Sequence, residues 1–212
     1  MKLATSHTLK DAAEYLASVD PYLAPIIAKA GLATISPHKN YYQALVESIV
    51  SQQLSVKAAD TIMKRFLGLF PDDIFPEPGH ILEKDIEEYR AVGLSRQKAT
   101  YIQDLAVKVI EGTVVFEKLD TLPNDEIVTE LTKVKGIGVW TVHMFLMFCM
   151  GRLDVLPTGD LGIKNGMYAL YGLEEKPSPE EMEALAKKHQ WNPYESVASW
   201  YIWHSLDNKP SL

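Results

Sequence analysis

The chain contains 212 residues, of which 47% are apolar and 23% are charged, a composition typical of globular proteins. This composition excludes a disordered tail protein and a collagen-like chain. A multi-span membrane protein is also excluded, because the central apolar run 144–150 is far shorter than the about 20 residues of a membrane span. The net charge of −7, taken alone, argues against nucleic-acid binding, because phosphate contacts depend on Lys and Arg.

The acidic excess is local rather than uniform. Residues 77–88 and 174–183 are strongly acidic, whereas 90–108 and 131–164 are net basic. Solvated helix faces explain such stretches as readily as a binding partner does. The N-terminal residues show no apolar signal-peptide core, and the single cysteine, Cys149, cannot form an internal disulfide or a four-cysteine metal site. We therefore expect an intracellular protein.

Apolar residues recur at helical spacing along nearly the whole chain, beginning with the stripe from Leu9 to Val19. Residues 71–78 form a turn-rich connector, and 114–116 alone look like a strand, too short to build a sheet. The pattern predicts an all-α protein of about ten helices with short links, the last ending near Asp207. The later helices are expected to begin just after Asn40, Ser55, Ser95, Pro123, Gly138, Asp160, Ser178 and Pro193.

The most distinctive local pattern is LTKVKGIGVWT, a helix end, a glycine turn and a new helix. Gly136 and Gly138 permit a tight turn and the close approach of another backbone. Ile137 between them is expected to pack into the gap between the two helices. The N–H groups that open the second helix, with the flanking lysines, form an anion site suited to a phosphate. Taken alone, a single GxG favours an ordinary helix–helix turn.

A second pattern, LPTGDLGIK, follows the hairpin after one apolar helix, and it places Asp160 at the start of the next helix. Capping of that helix is the simplest role for an Asp at this position. The helix dipole also stabilises a negative charge there. The apolar helix between the two patterns can fold Asp160 back beside the anion site.

These patterns, with LVESIVSQQLSVKAADTI before them and SWYIWH near the C-terminus, resemble the helix-hairpin-helix, Gly/Pro–Asp superfamily of base-excision DNA glycosylases, in its compact DNA-3-methyladenine glycosylase form. The resemblance covers 41–204. It implies one two-lobed, all-α glycosylase fold over 1–212, with the hairpin at about 124–150 and an active-site cleft between the lobes. It also implies a monofunctional enzyme that flips alkylated purines out of duplex DNA and hydrolyses the N-glycosidic bond. The implied lesions are 3-methyladenine and 7-methylguanine, with ethenoadenine as a further candidate.

The resemblance assigns the catalytic role to Asp160, which would stabilise an oxocarbenium-like sugar and orient or deprotonate the attacking water. Trp140 stands where bifunctional members carry a lysine, so no Schiff base is expected. Tryptophan rings would stack on a cationic base. The methionine that follows one turn later stands where the longer bacterial enzyme has an aromatic residue, which weakens the stacking pocket. The implied base pocket consists of Trp140, Trp203 and Met144, with Tyr42 and Trp200 as weaker candidates.

Gln53 occupies the position of the wedge, the side chain that fills the gap left by the flipped nucleotide, with Gln52 and Leu54 as alternatives. His143 lies near the hairpin as either a DNA contact or a solvated surface group. No cofactor and no side-chain metal site are expected, although a structural Na⁺ or K⁺ is implied on the backbone carbonyls of Thr132, Val134 and Ile137. The other implied DNA contacts are Ser55, Arg96, Lys98, Lys133, Lys135, Gly136, Ile137, Gly138 and Thr141.

The implied partner is double-stranded DNA that contains alkylated bases, bound by a monomer with no membrane contact. The expected location is the cytoplasm or nucleoid of a bacterium, or the nucleus of a eukaryote. A non-catalytic module that binds DNA or lesions is the main alternative, and release of a base distinguishes the two. A protein-interaction scaffold is supported only by the acidic charge. It predicts no salt-dependent affinity for DNA, so the slope of log affinity against log salt would be near zero.

Overall fold

The computed structural model describes residues 2–71 and 75–206. These residues confirm the predicted all-α class, since they contain no strand and only an isolated bridge between Leu3 and Arg152. The strand-like stretch 114–116 leads into a short helix instead. No helix in the described ranges is long and apolar enough to cross a membrane. In chain order, the α-helices are α1 (Ser6–Val19), α2 (Ala24–Ala30), α3 (Tyr41–Ser51), α4 (Val56–Leu67), α5 (Pro78–Leu82), α6 (Ile86–Ala91), α7 (Arg96–Ile110), α8 (Phe116–Leu119), α9 (Asn124–Leu131), α10 (Val139–Met144), α11 (Leu161–Leu170), α12 (Pro179–Lys188) and α13 (Glu195–Ser205).

The polar residues expected to open helices do so by accepting backbone N–H groups. Asn40 caps α3, Ser95 caps α7 by accepting from the N–H of Lys98, and Ser178 forms a reciprocal capping box with α12. These caps satisfy N–H groups that have no partner inside the helix. The helix starts were therefore predictable from local sequence, whereas the expected end of the last helix at Asp207 lies outside the described residues.

The apolar run 139–150, which predicts one helix, changes its winding halfway. It is α-helical to Met144 and then π-helical over Phe145–Cys149, and the N–H of Met150 donates to the carbonyl of Phe145 at 3.0 Å. A π turn rotates the following side chains relative to an α-helix. Gly151 ends the segment with φ +69°, at a place where a Cβ would lie 2.8 Å from Pro37.

The described chain divides into two compact units. The first unit contains residues 2–39 and 143–206, and the second contains residues 40–71 and 75–142. The core of the first is formed by α1, α11, α13 and the apolar segment that follows Val142. The core of the second is formed by α3, α5, α6 and α7. Asp160 therefore belongs to the first unit, and the glycine hairpin belongs to the second.

A fully buried carboxylate, Asp20, organises one side of the first unit. Its Oδ1 accepts from the N–H groups of Tyr22 and Leu23, and its Oδ2 accepts from the Tyr171 hydroxyl at 2.6 Å and the Trp191 indole at 2.8 Å. The ring of His189 lies 3.7 Å from the same oxygen. A buried charge is tolerable only when several donors replace its water, so these four donors make Asp20 the link between α1, α11 and the end of α12.

We predict that Asp20→Ala lowers the free energy of unfolding by about 3 kcal/mol or more, because four buried donors lose their acceptor together. Urea unfolding followed by circular dichroism measures the change. Asp11→Ala is the matched control, since Asp11 lies exposed in an i,i+4 pair with His7 and its loss should cost below about 0.5 kcal/mol. Equal costs for the two variants would contradict this account.

Candidate active site and nucleic-acid interface

Asp160 is held at the start of α11 by two donors on one oxygen. Its Oδ1 accepts from the backbone N–H of Ile163 at 2.8 Å, which is the expected cap. The same oxygen accepts from the indole Nε1–H of Trp203, also at 2.8 Å, across 43 residues of sequence. The carboxylate is therefore both a helix cap and the acceptor of a hydrogen bond from α13. Its orientation is set by two elements of the first unit.

Two glycines on α11 let α13 approach closely enough for this bond. A Cβ on Gly162 would lie 3.0 Å from Asp160 Oδ1 and 3.0 Å from the Trp203 ring, and a Cβ on Gly166 would lie 2.2 Å from Ile202. These glycines are four residues apart, so they occupy one face of the helix. Sequence reasoning missed both of them. The signal that could have found them is the glycine pair inside an otherwise favourable helix, where glycine costs about 1 kcal/mol relative to alanine.

Trp203 is only 3% exposed, and its ring centroid lies 5.9 Å from that of Phe148 in the π-helical segment. A ring that is this buried has little face left for stacking on a base. The geometry instead makes Trp203 the residue that orients Asp160. Its assignment as a stacking member of the base pocket stays a prediction, which this burial does not favour.

The other expected pocket residues are distributed over both units. Met144 is 8% exposed and belongs to the apolar segment of the first unit. Trp140, on α10 of the second unit, is 45% exposed, and its neighbour Val139 is also exposed. Trp200 stacks on His204 with ring centroids 5.1 Å apart. Trp140 is therefore the expected pocket aromatic that presents a large apolar surface.

Tyr42 lies half-buried in an aromatic cluster of the second unit, with Phe75 and Phe116 at centroid distances of 6.0 and 6.3 Å. Its hydroxyl is buried and has no hydrogen-bond partner within residues 2–71 and 75–206. Burial, followed by the charges of Tyr89 and Glu77, raises the pKa of Tyr42. The hydroxyl stays protonated and is a donor without a protein acceptor in the described chain, which is compatible with its assignment to the pocket.

The glycine hairpin joins α9 to α10 as predicted. Gly136 has φ +82°, and a Cβ there would lie 2.0 Å from the Tyr101 ring, so only glycine fits. Ile137 is buried, as expected for a residue between the two helices. A Cβ on Gly138 would meet open space, which leaves that backbone accessible to an approaching ligand.

The residues after α3 form a turn that the hairpin supports. Gln53 is exposed and has φ +58°, an uncommon conformation for a residue other than glycine. The Gln52 side-chain amide donates to the carbonyl of Gly136 at 2.9 Å. Lys98 Nζ donates to the carbonyls of Val50 and Gln52 at 2.7 and 2.6 Å. Burial lowers the pKa of Lys98.

The remaining expected cationic DNA contacts have acidic partners within the protein. Arg96 Nη2 lies 2.5 Å from Glu87, Lys133 Nζ lies 2.8 Å from Glu130, and Lys135 Nζ lies 3.4 Å from Asp104. All three cations are substantially exposed, so the pairs are weak and exchangeable in water. Their role as DNA contacts stays a prediction.

Two hydroxyl residues from the expected DNA interface differ in exposure. Ser55 is exposed and caps α4 by accepting from the N–H of Ala58 at 3.4 Å. Thr141 is 5% exposed, because it lies on the inner face of α10. Its burial leaves its side chain little surface for a phosphate. The structure therefore does not favour a DNA contact by Thr141.

His143 is half-buried, in contrast to a solvated surface group. Its Nδ1 is buried and has no hydrogen-bond partner among the described residues. Desolvation disfavours the charged imidazolium and lowers the pKa of His143 below its ordinary value of 6.5. His143 is therefore neutral at pH 7 and adds no positive charge beside the hairpin.

The lowered pKa of His143 predicts that the folded protein loses stability as the pH falls through 6.5. Below that value the unfolded chain binds a proton at this position before the folded chain does, so the free energy of unfolding rises with pH in this window. His143→Gln should flatten the dependence between pH 7 and pH 5 in urea unfolding. His80→Gln, the same change at an exposed histidine, is the matched control. An unaltered slope in His143→Gln would overturn the prediction.

Comparison of the chain with known proteins identifies its family. Residues 46–191 match the model of the HhH-GPD superfamily base excision DNA repair proteins. The alkylbase DNA glycosidase-like protein mag2 of Schizosaccharomyces pombe is 33% identical over 198 residues, 92% of each chain. The DNA-3-methyladenine glycosidase of Bacillus halodurans has 36% identity and a TM-score of 0.81, over 92% of this chain and 88% of that one. The 3-methyladenine DNA glycosylase Mag1 of S. pombe, in complex with abasic DNA, has 32% identity and a TM-score of 0.78, over 93% and 97%. The chain therefore belongs to the HhH-GPD superfamily of base excision DNA repair proteins.

Proposed function

We propose that this protein is a monofunctional DNA glycosylase that flips alkylated purines out of duplex DNA and hydrolyses their N-glycosidic bond, acting as an intracellular monomer. The observation that carries the proposal is Asp160 Oδ1, which accepts the N–H groups of both Ile163 and Trp203. Relatives named DNA-3-methyladenine glycosylase, one of them 37% identical over 78% of this chain, support the substrate class.

The fixed carboxylate suits hydrolysis of a glycosidic bond that is already weak. An alkylated purine carries positive charge and departs readily, so the main barrier is the oxocarbenium-like charge that develops on the sugar. A carboxylate whose orientation is set in advance stabilises that charge without reorganising during the reaction. It also orients the attacking water or accepts its proton. Both donors on Asp160 therefore favour catalysis by limiting its rotation.

Trp140, the second residue of α10, supports hydrolysis without strand cleavage. A bifunctional glycosylase needs an amine that forms a Schiff base with the sugar. Trp140 occupies that position here, and an indole cannot serve as this nucleophile. The product is then an intact strand with an abasic site.

Trp140 also supports a preference for cationic lesions. Its ring is 45% exposed on the helix that follows the hairpin. An electron-rich indole stacked on a positively charged base adds cation–π attraction to stacking, which selects 3-methyladenine and 7-methylguanine over undamaged purines. A flipped base is read in this way by stacking on aromatic side chains.

The hairpin supports binding to the DNA backbone without sequence preference. The open space at Gly138 lets a phosphate approach the backbone N–H groups that begin α10. The carbonyls of Thr132, Val134 and Ile137 lie in the same turn, and neutral oxygens are suitable ligands for Na⁺ or K⁺. The Val134 carbonyl also accepts the N–H of Ile137 at 3.1 Å. A cation there would add positive charge where a phosphate binds.

We predict that Asp160→Asn lowers the single-turnover rate of base release by about 100-fold or more, because the neutral amide cannot stabilise the developing sugar charge. The assay uses duplex DNA that contains 3-methyladenine or 7-methylguanine, with strand integrity scored before and after alkali. Affinity for a duplex with an abasic-site analogue should persist, since Asn retains an oxygen that can cap α11.

Asp11→Asn is the control, because Asp11 is an exposed carboxylate on α1. Near-normal release by Asp160→Asn would remove the catalytic assignment. Strand breaks before alkali would contradict the monofunctional mechanism. Tight lesion binding by the folded wild type with no base release would favour the non-catalytic alternative.

We predict that Trp203→Phe lowers kcat by about tenfold, because it removes one of the two donors on Asp160 while it keeps most of the buried ring. The affinity for duplex DNA should change little, since Trp203 is buried. Steady-state kinetics beside equilibrium binding separate the two effects. An unchanged kcat, or a loss confined to KM, would show that the indole N–H does not position the carboxylate.

A further inference from the structure

The turn after α3 has a backbone conformation that needs support. Gln53 has φ +58°, in the left-handed region, where an L-residue costs of order 1 kcal/mol. Its side chain is exposed, so the contacts that stabilise this conformation must come from the residues around it. The resemblance assigns Gln53 to the wedge, and a wedge acts only if it projects in one direction.

Lys98 supplies the first of these contacts. Its ammonium donates to the carbonyls of Val50 and Gln52, on either side of the last residue of α3. The last carbonyls of a helix have no intrahelical partner and carry the negative end of its dipole. A cation there both satisfies these carbonyls and fixes the chain immediately before Gln53. Two of the three donors of Lys98 are directed at its own protein.

The same side of α7 contacts the glycine hairpin. Tyr101 packs against Gly136 where a Cβ would be excluded, and Asp104 Oδ2 accepts the backbone N–H of Lys135 at 2.9 Å. Lys98, Tyr101 and Asp104 are spaced three residues apart, so they lie along one face of the helix, which we call the α7 face. The Gln52 amide closes the arrangement by donating to the carbonyl of Gly136.

We propose that the α7 face is a positioning element, in which Lys98 sets the direction of Gln53 relative to the hairpin rather than binding a DNA phosphate. This inference rests on the proposed function. The hairpin fixes the DNA backbone, and the α7 face holds the wedge at a constant offset from it. A misplacement of about 1 Å is enough to lower a rate on the order of 100-fold.

The test compares Lys98→Met with Lys108→Met, which makes the same change near the other end of α7. Each variant binds a duplex that carries an abasic-site analogue with 2-aminopurine opposite, so that insertion of Gln53 changes the fluorescence without any catalysis. We expect Lys98→Met to lose most of the fluorescence change and to release bases on the order of tenfold more slowly. The slope of log affinity against log salt should match the wild type, because no phosphate contact is removed.

A slope reduced by about 1 with the full fluorescence change would show that Lys98 binds a phosphate, and it would overturn the proposal. An unchanged Lys98→Met, or wild type without any fluorescence change, would also overturn it. Lys98→Arg should recover part of the signal, because it restores a cation with several donors. If Lys98→Met does not fold, Lys98→Gln takes its place in the same comparison, because it removes the cation but keeps a polar side chain at this partly buried position. A wild type that gives the fluorescence change but releases no alkylated base would contradict the proposed function. The fluorescence comparison would still test whether Lys98 positions Gln53, because it does not depend on catalysis.

Discussion

The proposed chemistry depends on the meeting of two N–H donors on one oxygen of Asp160. The cap from Ile163 is local and would form in any helix with Asp at this position. The bond from Trp203 is not local, and the absence of a Cβ on Gly162 leaves room for it, since that atom would lie 3.0 Å from both the carboxylate and the indole. Glycine weakens the first turn of α11 by about 1 kcal/mol relative to alanine. In return, the carboxylate has a defined orientation before any substrate arrives, which electrostatic catalysis requires.

The second unit uses the same principle at the hairpin. Gly136 has no side chain, so the Tyr101 ring occupies the space beside the turn. The ring fixes the hairpin from within the protein, while Gly138 faces open space. One glycine thus provides packing and the other provides access.

Sequence predicted the features whose causes lie close together in the chain. Helix caps, the turn at Gly136 and the position of Asp160 follow from patterns a few residues long, and the family resemblance supplied their function. The contacts of Trp203 and Lys98 could not be predicted, because their partners lie 43 and 46–48 residues away. Burial of Thr141 and the π-helical turn after Met144 depend on how an apolar run packs, and no local pattern in that run specifies either one.

The acidic net charge and the proposed binding of DNA are reconciled by the way the basic side chains are paired. Arg96, Lys133 and Lys135 each lie beside a carboxylate, so these three side chains present little unbalanced positive charge before DNA arrives. A phosphate that displaces a carboxylate exchanges one weak exposed ion pair for another, so the pairing itself adds little affinity beyond the counterions that the DNA releases. We therefore expect undamaged DNA to be bound weakly, with discrimination resting on the flipped base and the aromatic ring proposed to stack on it. A glycosylase that must release many normal sites for each lesion benefits from that division between weak backbone binding and selective stacking.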